Sequence, residues 1–255
     1  MSLKRACILI ACTLLLASCA SGPSGGGTLY QATLEPQLQD RTQFRNLLIA
    51  PINFGKPSRS YLVEHESRID DTIARRLKDE GYHIMPPDLF ENAWREAVRN
   101  WGDPYDETTG RLNETAFQYA LGEVFRSLSS TTEVNAVVFT NLEELQVYFS
   151  PTGSHVTHFL GVSRKPSSRG GEGVSVDFDW VQAVDAVGLY IYVFDLNGKR
   201  LFNGAGGIEV TEILDLKPST PRWVRQKKIL DNNSYIDEGV ELALHPWIPS
   251  KRLSR

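Results

Sequence analysis

The chain has 255 residues, 41% of them hydrophobic and 23% charged, with a formal net charge of −4. That balance allows a substantial core and lacks the basic excess that a phosphate backbone demands, so nucleic acid is excluded as a partner. Cys7, Cys12 and Cys19 all lie near the amino terminus, so no later residue can supply a disulfide, a thiol nucleophile or thiolate-bound zinc.

Lys4 and Arg5 precede an apolar run from Ala6 to Ala17. The run is too short to cross a bilayer, which takes about 20 helical residues. Leu16-Ala17-Ser18-Cys19 then resembles the lipobox of bacterial lipoprotein precursors. The resemblance implies that residues 1–18 are a signal peptide cleaved between Ser18 and Cys19. It also implies lipidation of the Cys19 thiol and acylation of the new amino terminus, which makes the membrane a partner. Loss of Lys4 and Arg5 lowers the charge from −4 to −6. Ala20 and Ser21 stand where lipoproteins retained in the inner membrane usually carry aspartate, which implies placement at the periplasmic face of the outer membrane.

Residues 19–44 read as the lipidated cysteine and a tether, with Gly22-Pro23-Ser24-Gly25-Gly26-Gly27 followed by a polar, extended lead-in. Residues 45–255 read as one α/β domain. Asn46 to Pro51 is a buried strand. Leu62, Ile69, Ile73 and Leu77 mark one stripe of a helix that Gly81 ends. Tyr82 to Met85 is a second strand, and Asp88 with Glu91 has the form of a capping box for a helix whose face carries Phe90, Trp94, Ala97 and Trp101. Asn113 caps a third helix, striped by Phe117, Ala120, Val124, Phe125 and Leu128. Ala136 to Phe139 is a third core strand.

The pattern then changes from βα units to strands joined by turns. Leu145, Val147 and Phe149 alternate with polar residues, as do Val174, Val176, Phe178 and Trp180. Val187 to Phe194 runs into Asp195-Leu196-Asn197-Gly198, a tight hairpin turn. A last helix begins near Ser234 and stops at Pro246. The expected architecture is a three-layer α/β sandwich with a mixed sheet, an early parallel βαβα part and a later antiparallel meander.

Leu47 to Phe54, Glu80-Gly81-Tyr82, Ile84-Met85-Pro86 and the Asp195 to Gly198 turn resemble a superfamily of bacterial lipoproteins. It holds the curli-secretion lipoprotein and the amino-terminal domain of the Tol-system β-propeller protein. The resemblance implies an accessory subunit in envelope biogenesis, secretion or transport, with other envelope proteins as partners. It brings no catalytic residue.

His155 and His158 lie three apart in an extended segment, where such positions point to opposite faces, so no metal set is expected. Gly204-Ala205-Gly206-Gly207 lacks the lysine and helix of a phosphate loop and reads as a bulge or bend, so no cofactor is expected. Candidate partner contacts are Arg164, Lys165 and Arg169 in a basic loop over residues 163–173, and Arg222, Trp223 and Arg225. The alternatives are an envelope-polymer hydrolase using Asp177 and Asp179, and a small-ligand carrier. The carrier would use the loops Asn53 to Arg59 and Pro86-Pro87 at a topological switch point.

Overall fold

The computed structural model describes residues 32–54, 59–106, 108–109, 111–151, 155–171, 173–174 and 178–250. In chain order the first half holds β1 (Thr33–Leu34), β2 (Asn46–Ile49), α1 (Ser60–Asp79), β3 (His83–Ile84), α2 (Asp88–Trp101), α3 (Glu114–Thr131) and β4 (Ala136–Tyr148). The second half holds β5 (Thr157–Phe159), β6 (Val162–Arg164), β7 (Ser168–Arg169), β8 (Ala183–Asp195), β9 (Arg200–Val210), β10 (Glu212–Asp215), β11 (Arg222–Arg225) and α4 (Asn233–Leu244).

Six strands form the main sheet in the order β1-β9-β8-β4-β2-β3. β2 is parallel to β3 and β4, whereas β4, β8, β9 and β1 pair antiparallel. The expected mixed, three-layer α/β architecture is the one observed. Because successive strand side chains point to opposite faces, β2 feeds two cores. Leu47 and Ile49 join α1 and α4, while Leu48 and Ala50 join α2 and α3. Each fully buried Leu or Phe contributes about 1.5–3 kcal/mol.

Local signals placed several boundaries correctly. Asn113 caps α3 by accepting from the Ala116 amide at 3.1 Å. Asp195 accepts from the amides of Asn197 (2.9 Å) and Lys199 (2.8 Å), and Gly198 takes φ +80° to turn β8 into β9.

Other expectations change. Asp88 does not cap α2; Pro87 holds the cap position, without a side-chain cap bond, and Asp88 is the first helical residue. Trp101 leaves the buried stripe and is 61% exposed, stacked on Tyr119 of α3. The two strands expected around Ala136 and Leu145 are a single thirteen-residue strand, paired along its length with β8. No strand forms at the described residues of the segment Val174 to Trp180. The lead-in before residue 45 joins the folded body, because β1 extends the sheet beside β9 and Leu38 is fully buried.

The glycines of β9 have a packing reason beyond a bend. A Cβ at Gly206 would overlap the carbonyl of Gly239 in α4, and one at Gly204 would overlap the carbonyl of Ala243. Their absence lets helix backbone lie directly on strand backbone.

Candidate functional site

β2 sends its chain through α1 to β3 on one side, and β4 then enters on the other, so the crevice beyond β2 and β4 is the switch point of the parallel part. Asn53 organises this crevice. With φ +55°, it is 6% exposed and acts as a surrogate strand residue: its amide donates to Thr140 O (2.8 Å), and its side chain joins Leu142 N (2.8 Å) and Leu142 O (3.2 Å). The residue after it, Phe54, is thereby turned over the α2/α3 face.

There Phe54 meets Trp94 (4.6 Å between centroids, 87°) and Phe90 (4.8 Å, 89°) edge to face, and Phe117 at 5.6 Å. Phe139 links this group to Phe194 (5.8 Å) and Phe125 (6.3 Å). Such pairs add about 0.5–1.5 kcal/mol each beyond their burial. Between these rings and α3 runs a groove of about 510 Å³, lined also by Gln118, Leu121, Gly122, Asn141, Tyr192, Asn197 and Arg200. Its size and its mix of apolar wall and few polar groups suit a small organic ligand.

On the other side of the crevice the Ile52 backbone hydrogen-bonds Asp70 of α1. Burial, with Glu66 and Asp71 nearby, nevertheless pushes the Asp70 carboxyl up to about 7.

The basic residues expected to meet partners fare differently. Arg164 is a correction to the expected mobile loop: it ends β6 and is 6% exposed. Its Nε donates to Ile208 O (2.7 Å), its guanidinium covers the Tyr235 ring at 3.9 Å, and Glu238 lies 2.9 Å away as an ionic neighbour. Arg169 and Arg222 are brought together by the small sheet β11-β10-β7, where both stand in register with Asp215. Arg169 binds that carboxylate at 2.8 Å and holds it below the usual carboxylate range. Arg225 reaches Glu144 and Asp185, each at 3.0 Å, and lies 4.2 Å over Tyr61. Trp223 is half-buried and stacks on Phe149 at 5.1 Å. Lys165 and Arg222 are exposed.

His155 and His158 do not converge. His155 stacks on Trp180 at 3.8 Å, whereas His158 pairs with the Ser163 hydroxyl at 2.7 Å. Among the described residues there is no group of three or more metal-ligating side chains. Asp179 is exposed and accepts from the Val181 amide. Ser18, Cys19, Asp177 and residues 55–58 lie outside the described residues.

No family model and no curated protein matches the chain. Among solved structures, the PelC dodecamer from Paraburkholderia phytofirmans aligns over 87% of this chain and 97% of that one, at 12% identity and a TM-score of 0.35. That likeness is too slight to carry an argument. The groove stands on its own geometry.

Of the groove residues, sequence reasoning reached only the Asn53 to Arg59 loop. Arg200, Asn141 and Tyr192 were missed because they are far apart in the chain. One signal was present: Gly122 is an isolated glycine inside a helix, beside its apolar stripe, and such a glycine asks for a reason.

Proposed function

We propose that this chain is a lipid-anchored accessory protein of the bacterial cell envelope, held through Cys19 at the periplasmic face of the outer membrane, and that its domain works by binding. The sequence Leu16-Ala17-Ser18-Cys19 supports the anchor, and the resemblance to envelope lipoproteins supports the setting. Among the described residues no helix is long and apolar enough to cross a membrane.

The observation that carries the binding reading is the groove between α3 and the sheet face of β4 and β8, next to the Phe54 loop, where six Phe and Tyr rings meet a small set of polar side chains. It favours a ligand-binding accessory role over a contact through the basic residues, since Arg164, Arg169 and Arg225 are already engaged within the domain. Two measurements decide it. Labelled palmitate is expected to enter the wild-type chain and not Cys19→Ala, with only the former sedimenting with outer membranes; an unlabelled, freely soluble wild type would sink the anchor. Crosslinking in intact membranes is expected to capture other envelope components, and recovery of the chain alone would count against an accessory role.

A further inference from the structure

The groove has a direction. Arg200 stands at one end, in register with Phe194, whose partner on β4 is Val137. Asn141 stands at the other, four residues further along β4, or about 13 Å at roughly 3.3 Å per residue. Next on the same face comes Glu143, whose carboxylate lies 3.5 Å from the Asn141 amide. The groove therefore runs from a cationic end at Arg200 to a polar one at Asn141 along an aromatic wall.

Arg200 has no ion pair and no side-chain hydrogen bond among the described residues, unlike Arg164, Arg169 and Arg225. Gly122 is the second observation. It sits inside α3, where glycine costs about 0.5–1 kcal/mol relative to alanine, yet a Cβ built on it meets nothing within 4 Å. It is exposed and borders the groove, so a methyl there is accommodated whereas a long apolar side chain would lie across the opening.

We propose that this groove binds an amphipathic anion, its apolar body lying along Phe117, Phe125, Phe139 and Phe194 over Gly122 and its acidic group on Arg200. The inference rests on the binding role proposed above and adds the ligand's chemistry. A lipid-derived acyl acid and a soluble aromatic acid share that chemistry.

The experiment compares two fluorescent probes of nearly the same body, anilinonaphthalene sulfonate and neutral phenylnaphthylamine, on the full folded protein. The sulfonate is expected to bind more tightly. Arg200→Gln should weaken it by about tenfold, as loss of a charged hydrogen bond does, and leave the neutral probe unchanged, with Arg200→Lys restoring most of the difference. Gly122→Leu should weaken both probes by at least about tenfold while Gly122→Ala keeps both, since filled volume removes ligand contacts. A melt by circular dichroism accompanies each variant, and if Gly122→Leu unfolds early, Arg200→Gln and Arg200→Lys carry the test. Displacement by decanoate assigns an acyl acid, displacement by phenylpropionate an aromatic one, and displacement by neither overturns the inference. If wild type binds neither probe, the groove is no binding site and the binding role fails with it. Equal binding of both probes, untouched by Arg200→Gln, overturns the anion alone.

Discussion

On the α1/α4 face of the sheet, Gly204 and Gly206 of β9 and Gly239 of α4 bring backbone against backbone; on the α2/α3 face, phenylalanine rings hold the helices off and Gly122 faces open space. The same residue type thus does opposite work on the two sides. Where a Cβ would overlap backbone, glycine closes the gap and the layer becomes rigid. Where a Cβ would meet nothing, glycine is exposed beside the groove and a methyl would displace no neighbour. The closed face reads as scaffold and the open face as the site.

The largest expected effect attacks the closed face directly. Gly206→Ala should destabilise by more than about 4 kcal/mol, enough to unfold a domain of ordinary stability, because its methyl must displace α4 backbone. Urea denaturation measures this, and a near-neutral result would mean that α4 is not held by that contact. Next comes the clamp that ties β6 to α4. Arg164→Ala should cost about 3 kcal/mol by leaving Glu238 and the Ile208 carbonyl without their cation. If Arg164→Ala and Glu238→Ala add without coupling in a double-mutant cycle, the pair is not the clamp.

Asp70 on α1 gives a smaller effect of opposite sign. Its carboxyl rises from 3.8 to about 7 on folding, so the folded state keeps a proton that the unfolded chain releases. The resulting stabilisation is complete below pH 4 and is lost as pH rises through 7. Asp70→Asn should therefore be more stable than wild type at pH 8, by roughly 2 kcal/mol, with the advantage fading toward pH 4. Parallel stability curves from pH 4 to 8 would contradict the raised value. The smallest effect belongs to the open face, where Gly122→Ala should stabilise by about 0.5–1 kcal/mol and raise the melting temperature by about 2 °C. A loss of stability there would mean that the groove wall is packed after all, and the contrast between the faces would disappear.

Much was legible in the order of residues alone, because the signals are local. The stripe Leu62-Ile69-Ile73-Leu77, the Asn113 cap, the Asp195 to Gly198 turn and the apolar run of β2 each depend on neighbours within a few positions. From them came the helices, the core strands and the mixed three-layer class.

What only tertiary structure decided depends on contacts between residues far apart in the chain. Arg164 looks the same in sequence whether it waves from a loop or is clamped by Glu238 and Tyr235, seventy and more positions away. Trp101 fits the apolar spacing of α2, yet it ends up exposed, stacked on the exposed Tyr119 of α3 rather than in the core. Asn53 completes a sheet whose partner strand comes eighty-nine residues later. The groove draws on Phe54, Gly122, Asn141 and Arg200, which belong to four separate elements or loops, and no period in the sequence links them. Spacing along a chain reports which face a residue takes; what lies opposite that face is settled only when the layers close.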